Sequence, residues 1–148
     1  MMDALVTLEQ QVSDAAKAAD QRDEMRVYEW RPVGYPELPA IWNWIDDGTY
    51  ELVDTGRGDD IIVVTATIAV KHSDSSLDEN MGRLVKLTDI FRSVVDPVLW
   101  RNGRNPPLEG TVRQAKRVVT RTSFDEFDGI PVMCMDMLIR LELSQMLA

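Results

Sequence analysis

Leu5, Leu8, Val12, Ala15 and Ala19 recur at spacings of three and four, which places them on one stripe of a helix. The pattern predicts a helix over residues 4–22, with Asp3 as its N-cap. Ala15, Ala16, Ala18 and Ala19 add helix propensity, and the charged cluster 20–24 ends the stripe. Arg26-Val27-Tyr28-Glu29-Trp30 then alternates as a short strand does. Pro32, Gly34, Pro36 and Pro39 interrupt regular structure for about ten residues. Ile41-Trp42-Asn43-Trp44-Ile45 alternates again with both tryptophans on one face, and Asp46-Asp47-Gly48 reads as a turn.

Residues 49–60 read as a polar link. Ile61 to Lys71 is rich in β-branched residues and apolar on both faces, which predicts a central strand closed by Ser73-Asp74-Ser75-Ser76. A second helix is expected from Leu77 to Val95. Ser76 and Glu79 have capping-box spacing; Met81, Leu84, Val85, Thr88, Phe91, Val94 and Val95 form the buried stripe, and Asp96-Pro97 marks the stop. After the loop Trp100 to Pro107, strands at 111–123 and 131–144 are joined by Phe124-Asp125-Glu126-Phe127-Asp128-Gly129. Met133, Met135, Met137, Ile139, Leu141 and Leu143 share the core face of the last strand, and Cys134, Asp136, Arg140 and Glu142 lie on the other. The fold expected is α+β in one domain spanning 1–148: a mostly antiparallel sheet covered on one face by two helices, with a proline-rich aromatic arm and a long C-terminal β-hairpin.

Charge narrows the function. The 148 residues carry a net charge of −9, which argues against a nucleic-acid-binding domain, because phosphate neutralisation needs clustered Lys and Arg. Residues 1–80 hold 17 acids against 6 bases, whereas Arg101, Arg104, Arg113, Lys116, Arg117 and Arg121 face only Glu109. A solvated surface can carry such runs, and so can identical subunits packed head-to-tail. The single cysteine, Cys134, cannot form an internal disulfide. No 18-residue apolar run predicts a membrane span, and the first residues lack the basic n-region of a signal peptide.

Catalytic chemistry finds little to rest on. His72, the only histidine, stands beside Ser73 and Asp74, but adjacent strand residues point to opposite faces, so an exposed strand-end histidine is expected. Cys134 sits in an apolar strand and reads as a small buried hydrophobe. One Cys and one His cannot complete a structural zinc site. Asp74, Asp78 and Glu79 could in principle hold a divalent cation, but the start of the second helix, where acids suit its dipole, is the preferred reading. No phosphate-binding glycine loop occurs, and no cofactor is expected.

What remains is surface. Trp30, Tyr35, Trp42, Trp44 and Trp100 lie in or beside irregular segments. Such aromatics either cap the sheet as a satellite core or meet a partner, as aromatics and arginines do at interface hot spots. With Arg101, Arg104, Arg113, Arg117 and Arg121 they are the interface candidates.

The helix leading into Arg26-Val27-Tyr28-Glu29-Trp30, the prolines, and Pro39-Ala40-Ile41 resemble the opening of tail terminator proteins of long-tailed bacteriophages. The strand Ile61 to Val70, the helix 77–95 and the ending Phe127-Asp128-Gly129-Ile130-Pro131-Val132-Met133 through Leu143 follow that family's order. The Trp42 and Trp44 pair and Pro106-Pro107 depart from its usual pattern. The resemblance implies a structural protein of the virion, assembled in the host bacterial cytoplasm. Six copies would form a ring on the head-proximal end of the tail tube, stop its growth and meet the head–neck connector, while DNA passes through the lumen unread. On this reading 26–48 is an extended arm docking on a neighbouring subunit or the tube. A head-closure or other neck protein, a non-viral adaptor module and a small enzyme with an unfamiliar site are the competing assignments.

Overall fold

The computed structural model describes residues 2–45, 49–54, 57–72, 77–99 and 112–146. The elements run α1 (Met2–Ala19), a 3-10 turn (Gln21–Asp23), β1 (Arg26–Val27), β2 (Ala40–Ile45), β3 (Thr49–Asp54), β4 (Arg57–Lys71), α2 (Leu77–Leu99), β5 (Val112–Phe127) and β6 (Ile130–Met146). Among the described residues six strands form one sheet, ordered β1-β2-β4-β6-β5, with β3 also paired to β4. Only β1 with β2 is parallel. The architecture is α+β.

β4 is the central strand, as its two apolar faces require. Its Val64, Ala66, Ile68 and Val70 point to one side and join Ile41 of β2 and Met133, Met135, Met137, Ile139 and Leu141 of β6. Leu5, Leu8, Val12 and Ala16 of α1 and Leu84, Leu87, Phe91, Val95 and Leu99 of α2 close over them. Both helices therefore lie on that face. The opposite face carries a smaller cluster of Ala40, Trp42, Ala69, Phe127, Val132 and Cys134.

Several expectations need correction. α1 begins at Met2, so Asp3 lies in its first turn and is no cap; its carbonyl accepts from Thr7 Oγ1 at 2.8 Å. Ala19 is exposed, and the buried stripe instead takes in Glu9, Ser13 and Ala16. Ser13 earns burial by accepting from Met25 N and donating to Met25 O. On α2, Val85 is exposed and Leu87 buried, and the helix runs through Pro97 to Leu99. A proline so near the end removes little of the hydrogen-bond ladder, and burial of Leu99 holds the last turn down. The proposed link 49–60 is largely strand, because β3 pairs antiparallel with the start of β4. The early strand is only Arg26–Val27.

β5 and β6 pair from Val112 opposite Leu143 to Phe127 opposite Ile130. Their connection is shorter than the six-residue link expected. Asp128 at φ 52° and Gly129 at φ 78° make a two-residue turn, the primed geometry that suits the twist of paired strands. Ser76, the Trp100–Pro107 loop and Glu109 lie outside the described residues.

Candidate interaction surface

The register defines rows of side chains across the sheet face opposite the helices. Ala40, Ala69, Cys134 and Ser123 form one row, and Trp42, Thr67, Asp136 and Arg121 the next. Trp44, Thr65 and Leu138 form a third. Covering of these rows is uneven, and that unevenness separates the two tryptophans. Trp42 is 2% exposed and meets the Phe127 ring edge-on at 5.4 Å. Trp44, two residues along on the same face, is 56% exposed.

The covering comes from the proline-broken segment 28–39. Prolines and Gly34 keep it out of the sheet, yet it is tied down at several points. Tyr28 N donates to Ile41 O at 2.8 Å and Arg31 N to Asn43 O at 3.1 Å. Glu37 N donates to the Tyr28 hydroxyl at 3.2 Å, and Arg26 Nε to Glu37 Oε2 at 3.0 Å. Tyr28 and Leu38 pack on the smaller cluster. The Arg31 guanidinium donates to both oxygens of Asp125, at 2.9 and 3.0 Å, and to Glu126 O at 3.2 Å. It also stacks 4.2 Å over the Phe127 ring. Phe127 is thus flanked by Trp42 and by Arg31, and the pair Arg31–Asp125 holds the Arg31 pKa up and the Asp125 pKa down through the side-chain hydrogen bond.

This overturns the extended arm as the sequence suggested it. Residues 40–45 are a sheet strand, and 28–39 folds back over its own chain. Trp42 is core and leaves the set of interface candidates. What the pinned segment turns outward is Trp30, Val33 and Tyr35, with Val33 97% exposed. A side chain added at Gly34 would stand 4.0 Å from Asp128 Oδ2, so this rim lies beside the β5–β6 turn, next to exposed Ile130. The aromatics Trp30, Tyr35 and Trp44 therefore remain at the surface as candidates.

Arg121 is exposed, with Nε 4.0 Å from Asp136 Oδ2; Asp136 Oδ1 accepts from Thr67 Oγ1 at 2.8 Å. Arg113 and Arg117 lie on β5, but their side chains, like Trp100, Arg101 and Arg104, are outside the described residues. Sequence reasoning missed Arg31, Asp125 and Phe127, because two of the three fell in a stretch read as a connection.

Elsewhere several charged groups are engaged with one another. Asp23, 4% exposed, accepts from Arg83 Nε at 2.6 Å and Lys86 Nζ at 3.1 Å, tying the 3-10 turn to α2. With Asp20, Arg22 and Glu79 these residues line a cavity of about 230 Å³. His72 is half-buried, not exposed, and meets the Phe124 ring edge-on at 5.6 Å. Burial, with Asp136 nearby, pushes the Cys134 thiol up to about 12, which leaves it unreactive at neutral pH. Among the described residues no group of three His, Cys, Asp or Glu side chains is placed to hold a metal ion, and no helix is long and apolar enough to cross a membrane. No family model matches the chain, and no curated protein matches it.

Proposed function

We propose that this chain is a structural protein of a long-tailed bacteriophage that caps the head-proximal end of the tail tube as a ring, stops tube growth and offers a surface to the head–neck connector. The observation that carries the reading is the exposure of Trp30, Val33 and Tyr35 on a segment pinned by Arg31, together with exposed Trp44 on β2 and Ile130 on β6. Pre-ordered aromatic surface loses little freedom on docking, which favours a permanent contact. The order helix, short strand, proline segment, strand, long strand, helix and paired final strands adds support, since it is the order the tail terminator resemblance rests on.

In this reading the proline segment acts as a rigid rim, not a reaching arm, and the paired strands β5 and β6 carry the basic run toward a neighbouring subunit. Attraction between that run and the acid-rich first 80 residues would set a head-to-tail order, and rotation between copies would close it into a ring. DNA passing through an acidic or neutral lumen would not be gripped.

Sedimentation velocity and negative-stain electron microscopy of the purified chain, alone and mixed with tail tubes, test the reading. Ring-shaped particles seated at one end of each tube are expected. A chain that stays monomeric and binds no tube end would count against it, and binding to portal-side connectors alone would move it to head closure.

A further inference from the structure

Glu9 stands on the buried face of α1, four residues after Leu5 and three before Val12, and is 0% exposed. Asn43, also 0% exposed, sits opposite it on β2, on the helix-covered side. Asn43 Nδ2 donates to Glu9 Oε1 at 2.5 Å. Glu9 Oε2 and Asn43 Oδ1 are both buried and have no hydrogen-bond partner. Each residue thus leaves one acceptor unsatisfied, and a buried acceptor without a donor is strongly unfavourable. A carboxylate cannot relieve this, because it has no proton to give. A carboxylic acid can: its O–H donates to the amide oxygen while the amide N–H donates to the acid carbonyl.

We propose that Glu9 is held as a neutral carboxylic acid in a reciprocal acid–amide pair with Asn43, and that this proton latches α1 onto the sheet. Both orphan acceptors are then accounted for by one hydrogen. The surroundings agree. Burial raises the Glu9 carboxyl from 4.5 to about 8, against a smaller lowering by Asn43. No charged side chain adds to this. On the elements packed against α1, Asp23 of the 3-10 turn is held by Arg83 and Lys86 of α2, Arg22 by Asp20, which caps that turn, and Arg26 of β1 by Glu37. Asp3, Asp14 and Lys17 of α1 and Asp78, Glu79, Asp89, Arg92 and Asp96 of α2 are the remaining charged groups on these elements, and none is among the causes of the Glu9 shift. The carboxyl binds its proton more tightly folded than unfolded, so this contribution to stability is complete below about 4.5 and is lost as pH rises toward 8.

The test is carbon-13 NMR of the whole chain, labelled at glutamate and assigned through the backbone. The Glu9 carboxyl is expected to titrate above pH 7. Titration of Glu9 below pH 6 would overturn the proposal. A second readout compares unfolding equilibria of the natural chain and Glu9→Gln, whose amide can still pair with Asn43. Between pH 5 and 8 the folding constant of the natural chain should fall about tenfold per pH unit relative to the variant, the signature of one proton. Parallel profiles would contradict it. Should Glu9→Gln fail to fold, the titration of the natural chain decides alone.

Discussion

Arg31 holds both carboxylate oxygens of Asp125, at 2.9 and 3.0 Å, across 94 positions of sequence. This bidentate pair, with the guanidinium over Phe127, decides that the proline segment lies on the sheet and does not swing free. Arg31→Met should loosen residues 28–39 and lower stability by about 1–2 kcal/mol, the lower end being favoured because a third of each side chain meets solvent. Urea midpoints measure it. The pH dependence has a defined sign. The Asp125 pKa lies below its unfolded 3.8, so its stabilisation is present above about 4 and disappears as pH falls through the folded value. Arg31→Met should therefore shed part of the acid sensitivity, seen as a shallower stability profile below pH 4.

Trp42 and Trp44 should respond oppositely although they share a strand face. Trp42→Ala removes a buried ring and leaves a cavity beside Phe127, which should lower stability by about 3–5 kcal/mol. Trp44→Ala should stay within about 0.5 kcal/mol of the natural chain yet weaken assembly. Denaturation and sedimentation velocity on both variants give the comparison. Equal destabilisation would mean that Trp44 is core.

Asp23, almost out of solvent, holds both Arg83 and Lys86, whose side chains stay partly exposed. Asp23→Ala would leave two partly exposed cations without their shared anion, lowering stability by about 1–2 kcal/mol because solvent screens both. Arg83→Met with Asp23→Asn should recover part of that loss, because only the half-exposed Lys86 then lacks its anion and the introduced amide can still accept its hydrogen bond. Thermal melts of both variants check the order.

Cys134 should be inert to thiol reagents while the chain is folded and react at once in denaturant, since burial holds the thiol up near 12. A fast native reaction would show that the smaller cluster opens.

Much of this architecture is legible in the chain because periodicity maps onto burial. The alternation of Met133, Met135, Met137, Ile139 and Leu141 places them on the helix side, and the doubly apolar run from Ile61 reads as the central strand it is. Legibility fails where polarity misleads. Glu9 and Ser13 lie inside because each finds a specific partner, Asn43 and Met25, that no helical period reveals. Trp42 and Trp44 are equivalent in pattern, and only the return of segment 28–39 over one of them separates core from surface. Arg31 and Asp125 are brought together by the return of segment 28–39 onto β5, which local residue types do not encode. The polar character of 49–60 hid strand β3 for the same reason: pairing with β4 outweighs local preference.

Electron microscopy of a lysate from the parent particle with this gene deleted tests the central claim most directly. The account predicts overlong tails, unjoined, beside filled heads, because tube growth has lost its stop. Tails of normal length on intact infectious particles would contradict it.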